Sequence, residues 1–344
     1  MTDANKAPAV FDAPPEAKPQ SFAITEMITC AECLRNNPPT RTNCLYCGAQ
    51  LSIGEYIREP QTTPEPVAEP DSSGPGFHVV LVPGQAKAPA EVSLTEIAAL
   101  LQLQPNEVES AFGLNRSIPL LRAATFDEGK RMTERLRALG IEVRVLPEEG
   151  LELDLPTRKI RSLQLSEEAL TAHLTIGGPM SISWSELSLM VAGRLLVSRT
   201  ESEERQGRRG SKPVDSRELF SDEPVVDLYR KSDPVGFRIS VNSFDFSCLG
   251  HRKAMTAFEN LATLIDLVKT RAPAIEFDDS YRSLRTVLNS VWPLEPQTRK
   301  GEWRRSGVGK VDVSTITILD NENQFNTYSR LLQQIKSSEL EGER

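Results

Sequence analysis

The chain contains few of the residues from which catalytic and disulfide-linked sites are usually built. Among its 344 residues are five cysteines and three histidines, and aromatic residues account for 6% of the composition. The histidines, His78, His173 and His251, are far apart in the sequence, and none belongs to a recognisable catalytic or metal-binding motif. The chain also lacks a glycine-rich phosphate loop, a dinucleotide fingerprint and a nucleophile elbow. No enzyme class therefore has positive support, and we predict a protein that is not an enzyme.

Long hydrophobic runs and an excess of positive charge are absent as well. No apolar run reaches the roughly 18 residues that a helix needs to cross a bilayer. The first residues, MTDANKAPAVFDAPPEAKPQ, lack the basic start and the apolar stretch of a secretory signal. The formal net charge is −8, which favours neither nucleic acid nor anionic lipid as a partner. We therefore expect a cytoplasmic protein without a membrane span.

Proline-rich segments flank a short cysteine-rich segment near the N-terminus. Eleven of the 24 prolines precede residue 76, mostly within 1–26 and 54–76, which are also rich in Ala, Glu and Ser. Such segments bury too little apolar area to offset the entropy that is lost on ordering. We predict that 1–26 is disordered, that 54–76 is a flexible linker, and that 27–53 folds between them.

Four of the five cysteines fall within residues 30–47, CAECLRNNPPTRTNCLYC, as two Cys-x2-Cys pairs separated by ten residues. Two intervening residues let both sulfurs of a pair face the same ion, and a hairpin brings the second pair opposite the first. Gly48 follows the last cysteine, where the turn needs a positive φ. The alternative, two disulfides, is disfavoured in a reducing compartment. We predict a Zn²⁺ site whose coordination energy replaces a hydrophobic core. Its ligands are Cys30, Cys33, Cys44 and Cys47.

Residues 28–49 resemble a zinc ribbon and also the Ran-binding-protein type of zinc finger. The resemblance rests on the pattern Cys30-x2-Cys33-x3-Asn37-x-Pro39-Thr40-x3-Cys44-x2-Cys47. Members of that family bind ubiquitin or single-stranded RNA. Here Ile28 replaces the usual Trp, and Leu34-Arg35 replaces the Thr-Phe pair of the ubiquitin binders, so RNA recognition by aromatic stacking is not expected. We expect a structural or protein-docking module, because four thiolates leave no open position for a catalytic water.

The segment 77–147 resembles the C-terminal domain of the bacterial ribosomal stalk protein. The resemblance rests on Phe77-His78-Val79-Val80-Leu81 at its start and on Glu134-x-Leu136-x-x-Leu139-Gly140-Ile141-Glu142-Val143 at its end. It implies, for a domain over 77–148, an α/β sandwich of three antiparallel strands and three helices. In the family, a basic face on the first two helices recruits translation factors. This chain has no basic residue at four positions of that face, so we expect the fold without this binding. The four positions are Thr95, Ala98, Asn106 and Glu109.

The segment 157–292 is rich in strand signals and is predicted to form a β-rich, barrel-like domain with closing helices. Residues 157–272 resemble a pleckstrin-homology-like barrel, on the basis of Ile182-Ser183-Trp184-Ser185-Glu186-Leu187 and of a long helix after the strands. The resemblance implies docking of proteins or phosphoinositides. We expect 201–218 to be a loop and 293–344 to be a loop followed by a C-terminal helix. The apolar face of the long helix is predicted to contain Phe258, Leu261, Ile265 and Val268.

Two clusters of basic residues are further candidate sites. His251, Arg252 and Lys253 follow Gly250 at the predicted start of the long helix, where a bound anion would offset the unfavourable placement of cations at a helix N-terminus. The alternative is a solvated helix start. Trp303, Arg304 and Arg305 belong to a basic stretch suited to RNA or to an acidic partner. The alternative there is a loop whose Trp packs on the body of the protein.

Together these patterns predict a multidomain α+β protein. It consists of a zinc ribbon, a stalk-like α/β sandwich and a β-rich barrel with C-terminal helices, joined by disordered N-terminal linkers. The favoured function is that of a non-enzymatic zinc-binding adaptor or regulator that docks to a protein partner. The alternative is a ribosome- or RNA-associated protein that binds through the basic clusters. The sequence leaves the oligomeric state open.

Overall fold

The fold of the chain is of the mixed α+β class, as the sequence predicts. The computed structural model describes residues 22, 26–51, 76–84, 91–207, 210–231, 233–307 and 310–342. Apart from Phe22, Glu26 and Gly76, the predicted disordered segment 1–26 and the predicted linker 54–76 lie outside the described residues.

The first two sheets are small and antiparallel. The N-terminal one is a two-stranded hairpin, and the second has three strands in the order β4-β3-β5. The three antiparallel strands and three helices expected for 77–148 are present, in the order strand, helix, helix, strand, helix and strand. The elements are β1 (Ile28–Thr29), β2 (Asn36–Asn37), β3 (Phe77–Leu81), α1 (Glu91–Leu101), α2 (Pro105–Gly113), β4 (Ile118–Ala123), α3 (Phe126–Ala138) and β5 (Val143–Pro147).

The third sheet has nine strands and curls into a half-barrel. Eight strands follow the order β13-β14-β9-β10-β11-β6-β7-β8, and β12 pairs in parallel with β9. Since β13 and β8 are the two ends of this path, the sheet is open along the described residues. The strands are β6 (Arg158–Leu165), β7 (Ala169–Leu174), β8 (Pro179–Ser183), β9 (Leu187–Gly207), β10 (Gly210–Arg230), β11 (Phe237–Ser240), β12 (Glu276–Asp278), β13 (Gln297–Gly307) and β14 (Lys310–Asp320).

Two segments that were predicted to be loops are long antiparallel hairpins. The predicted loop 201–218 belongs to β9 and β10, and most of the predicted loop after residue 293 is occupied by β13 and β14. Strand pairing satisfies the backbone N–H and C=O groups whatever the side chains are. A polar segment without apolar alternation can therefore form a strand while giving no strand signal in the sequence.

Three further helices complete the fold. The predicted long helix and the predicted C-terminal helix are confirmed, and a short 3-10 helix, Phe246–Arg252, precedes the long helix. There the Asp245 carboxylate accepts the N–H of Ser247 at 2.9 Å, which favours a turn over an extended strand. The helices are α4 (Ala257–Arg271), α5 (Arg285–Val291) and α6 (Glu322–Gly342).

Around residues 187–191 of β9, both faces of the nine-stranded sheet are apolar, and each is covered. Leu189 and Val191 of β9 join one cluster with β3, β4, α5 and α6, while Met190 joins another cluster with α4. The split follows from the alternation of side chains along a strand. The segment 77–151 therefore shares its core with the large sheet and with the C-terminal helices.

Helix α6 packs against both the large sheet and the segment 77–151. Almost every residue from Gln324 to Gln333 is buried, so the helix has no solvated face over this span. It crosses β9 at Gly193, where a Cβ atom would lie 2.3 Å from the ring of Phe325. Glycine at this position permits the close approach of helix and strand.

A buried ion pair lies beneath α6. The Arg238 guanidinium donates to Asp227 through Nε at 2.7 Å and Nη2 at 2.8 Å, and both side chains are buried. Three residues of α6 complete the network. Asn326 accepts from Arg238 at 2.7 Å, Glu322 accepts from it at 3.4 Å, and Ser329 donates to Asp227 at 3.0 Å. Both carboxylate oxygens of Asp227 thus accept hydrogen bonds. A buried charge is tolerated under this condition.

Replacing Arg238→Met is expected to lower the free energy of unfolding by about 3–5 kcal/mol, because the Asp227 carboxylate stays buried without its counter-ion. Chemical denaturation measures the loss. The matched control is Arg194→Met, which removes a half-exposed bidentate pair with Asp222 and should cost no more than about 1 kcal/mol. Equal losses of unfolding free energy in the two variants would contradict the cost assigned to an unpaired Asp227 carboxylate.

His78 connects β3 to the residue that follows α5. Its ring is fully buried, and Nε2 accepts a hydrogen bond from Trp292 Nε1 at 3.1 Å. Burial disfavours the imidazolium and, with the charge of Arg122, outweighs the attraction of Glu148, so that the pKa of His78 is lowered to about 4. The imidazole is therefore neutral at pH 7, as its role as a hydrogen-bond acceptor requires.

We expect His78 to make the protein less stable as the pH falls from about 6.5 towards 4. In this window the unfolded chain takes up a proton on His78 that the folded chain excludes, and the slope approaches about 1.4 kcal/mol per pH unit. Denaturation curves at several pH values measure the effect. The difference between wild type and His78→Gln isolates it from the carboxylates, and a pH-independent difference would contradict it.

Candidate metal centre

The four N-terminal cysteines lie on two turns of the same construction. In the first, Cys30 O accepts the N–H of Leu34 at 2.8 Å and Cys30 N donates to Arg35 O at 3.0 Å. In the second, Cys44 O accepts the N–H of Gly48 at 3.0 Å and Cys44 N donates to Ala49 O at 2.7 Å. Each turn presents both of its thiols on the same side. We call residues 26–51 the cysteine module.

Both turns require a residue with a positive φ at the same place. Gly48 has φ 78°, as predicted, and Leu34 occupies the equivalent place with φ 58°. A leucine gives no such signal in a sequence, because this conformation is uncommon for residues with a Cβ atom. The Leu34 side chain is buried, and the free energy gained by burial offsets the cost of this conformation.

The turns bring the four sulfurs together, and this prediction is confirmed. All four Sγ atoms lie within 4.8 Å of one another, with Cys30 to Cys47 at 3.6 Å and Cys33 to Cys44 at 3.5 Å. Sulfurs bound to one Zn²⁺ at 2.3 Å in a tetrahedron would be roughly 3.8 Å apart. A disulfide needs about 2.05 Å, and all four cysteines are free. The group is therefore compatible with metal binding.

Polar contacts orient the Cys44 sulfur. The buried Asn37 amide donates to it at 3.5 Å and accepts the N–H of Leu45 at 2.9 Å, while the N–H of Tyr46 also points to the sulfur at 3.5 Å. Burial raises the pKa of Cys44, but the N–H groups of Cys47 and Tyr46 and the Asn37 amide lower it to about 6. One thiolate is thus available near neutral pH, and partners that orient a ligand in this way typically strengthen metal binding.

Two other thiols hold their protons more strongly. Burial raises the pKa of Cys30 to about 11 and raises that of Cys33 further. A metal ion must therefore displace protons from these ligands. A set of four thiols suits Zn²⁺, and it would leave the ion no position for water or substrate. Among the described residues, no other group of three or more His, Cys, Asp or Glu is arranged to hold a metal.

The other predicted site residues are not part of this centre. His251 and Arg252 end the 3-10 helix, Lys253 follows it, and all three are exposed. Their predicted position at the start of the long helix is wrong, because α4 begins at Ala257 and is capped by Thr256 and Glu259. Anion binding by these three residues stays a prediction.

The second basic cluster lies on a strand. Trp303, Arg304 and Arg305 belong to β13, paired with β14, so the predicted loop is wrong at this position. Their side chains lie outside the described part of the chain, and contact with RNA or an acidic partner stays a prediction.

An exposed apolar pair follows the first basic cluster. Met255 is fully exposed and Phe258 is 62% exposed. The prediction that Phe258 belongs to the apolar face of α4 is wrong, since that face is formed by Leu261, Leu264 and Val268. Helical periodicity placed Phe258 on this face, but the residue lies in the first turn of α4 and is not part of the hydrophobic cluster that α4 covers.

Comparison with protein-family profiles, with curated proteins and with solved structures found no match to this chain. The resemblances to zinc fingers, to the ribosomal stalk domain and to the pleckstrin-homology-like barrel therefore stay predictions. No helix within the described residues is both long and apolar enough to cross a membrane.

The purified chain is expected to hold one Zn²⁺, and Cys44→Ser is expected to lose it, because three ligands and a hydroxyl bind the ion far more weakly. Elemental analysis of reduced protein measures the stoichiometry. Cys248→Ser is the matched control, since this thiol lies outside the cluster and should leave the zinc content unchanged. Wild-type protein without bound zinc after reconstitution would contradict the assignment.

Proposed function

We propose that this protein is a non-enzymatic zinc-binding adaptor or regulator that acts by docking to another protein. In this proposal the zinc ribbon formed by Cys30, Cys33, Cys44 and Cys47 has a structural role. The observation that carries the proposal is the exposed apolar pair Met255 and Phe258, which directly follows three exposed basic residues. We call His251–Phe258 the docking segment.

The composition of the docking segment suits a protein partner. Large apolar side chains that are fully exposed gain free energy when a partner covers them, and Met and aromatic residues are enriched at protein interfaces. The neighbouring cations, His251, Arg252 and Lys253, favour acidic residues at the rim of such a contact. The partner is therefore a protein surface with an apolar groove and acidic residues around it.

Ribosome or RNA association is the competing function. The same cations would contact phosphate, but an exposed methionine adds little to RNA binding, which uses stacking of bases on aromatic side chains. A protein partner and an RNA partner also differ in their response to nuclease and to salt. These differences separate the two functions by experiment.

A photo-crosslinking residue at position 255 is expected to trap one protein partner, whereas the same residue at position 153 should not. Leu153 is the matched control, because it is another exposed apolar residue in a different loop. With the purified partner, Met255→Ser combined with Phe258→Ser should weaken binding by about tenfold or more, while Leu153→Ser should leave it unchanged.

The competing outcomes would overturn the proposal. Crosslinks at position 255 that disappear after nuclease treatment, or co-sedimentation with ribosomes that weakens steeply with salt, would favour the RNA-binding function. Equal binding by the double variant and by wild type would show that the docking segment does not contact the partner.

A further inference from the structure

The start of α2 has the arrangement of a hydrophobic staple, in which the apolar residue before the N-cap packs with the fourth residue of the helix. Gln104 is the N-cap, Leu103 precedes it, and Val108 is the fourth residue of the helix. Val108 is buried in a hydrophobic cluster, and Leu103 packs against the same cluster. The staple therefore covers part of Leu103 and fixes the direction in which the chain enters α2.

The start of α4 has the same positions but a different pairing. Thr256 is the N-cap, Met255 precedes it, and Asn260 is the fourth residue of the helix. The apolar side chain that would complete a staple is replaced by the amide of Asn260, which is 4% exposed. Met255 is fully exposed, although the residue at the equivalent position of α2 is half-buried. The polar member of this pair is thus inside the protein, and the apolar member is outside.

The buried Asn260 amide holds the chain that leads into α4. Its Oδ1 accepts the N–H of Ala254 at 2.6 Å, and its Nδ2 donates to the carbonyl of Ala254 at 3.1 Å. These two bonds offset the cost of burying the amide. On the other side of Met255, the Glu259 carboxylate accepts from the N–H of Thr256 at 3.4 Å and from its Oγ1 at 2.8 Å. Met255 therefore lies between two residues that are fixed by hydrogen bonds.

We propose that Asn260 is the positioning residue of the docking segment and that it presents Met255 for insertion into an apolar pocket of the partner. This inference rests on the proposed function and specifies the contact that it requires. An apolar residue at position 260 would complete the staple and cover Met255 with the protein's own helix. The amide excludes that contact, and its bonds to Ala254 fix the backbone from which the Met255 side chain extends. A residue fixed in this way loses less conformational entropy on binding than one in a mobile loop.

The geometry also specifies the pocket of the partner. Methionine is unbranched, and its thioether adapts to irregular apolar cavities. The exposed cations Arg252 and Lys253 directly precede the fixed residue Ala254. The pocket therefore accepts one unbranched apolar side chain and has acidic residues at its rim.

Oxidation of the full chain by dilute hydrogen peroxide, followed for each methionine by mass spectrometry, tests the exposure of Met255. The thioether takes one oxygen atom from peroxide and becomes the sulfoxide, and water is the other product. In the wild type, Met255 should oxidise about tenfold faster than Met190, which is 1% exposed. Asn260→Leu should slow the oxidation of Met255 by about fivefold, because a completed staple covers the sulfur. Asn260→Ala is the matched control, since alanine is too short to cover Met255, and it should leave this rate unchanged.

Backbone relaxation measured by NMR on the chain labelled with 15N-methionine tests the fixed position. The chain has six methionines, and Met255→Leu identifies the signal of interest. The Met255 amide should have an order parameter of about 0.85 in the wild type and below about 0.6 in Asn260→Ala, because Ala254 is then released. Thr263→Ala, which removes a side-chain hydrogen bond to the carbonyl of Glu259 within α4, should behave as the wild type.

Equal oxidation of Met255 in the wild type and in Asn260→Leu would overturn the proposal, as would a Met255 amide that is mobile in the wild type or unchanged in Asn260→Ala. With the partner purified after crosslinking, Asn260→Ala should weaken binding by about tenfold, and equal affinity would contradict a positioning role. If position 255 traps no partner, the adaptor function fails, whereas the oxidation and relaxation measurements still decide whether Asn260 positions Met255.

Discussion

The buried pair of Arg238 and Asp227 is the constraint on which the rest of the fold depends. A guanidinium and a carboxylate inside a protein are tolerated only when every hydrogen bond is made. The partners that complete this network, Glu322, Asn326 and Ser329, come from α6, so loss of the C-terminal helix would remove these hydrogen bonds from the buried pair. The last element of the chain therefore holds the sheet in its folded form.

The same helix satisfies polar groups of several other elements. Asn321, which directly precedes α6, accepts the N–H of Leu196 at 2.7 Å and donates to the carbonyl of Arg194 at 2.9 Å. Arg330 donates to the carbonyls of Leu151, Glu152 and Leu155 in the connection between β5 and β6. Because α6 packs against both, the segment 77–151 and the large sheet share one hydrophobic core.

The cysteine module is stabilised in a different way. Its apolar cluster contains little beyond Ile28, Leu51 and the cysteines themselves, so burial alone contributes little free energy. Metal coordination provides a larger source of stability for so small a unit. Its contact with the body through Arg35 and Phe220 is also small.

The sequence by itself determined the parts whose geometry is local. The spacing of Cys30, Cys33, Cys44 and Cys47 sets the sulfur positions through two short turns, and the element order of 77–148 follows from local periodicity and capping. Tertiary structure alone decided the long pairing of β9 with β10 and β14, the exposure of Phe258, the burial of Arg285 and the pairing of Arg238 with Asp227. Backbone pairing between polar strands leaves no periodic pattern in the side chains, and a buried charge is recognised only when its partners are known. The partners of Arg238 lie on β10 and α6, and only the folded chain brings them together.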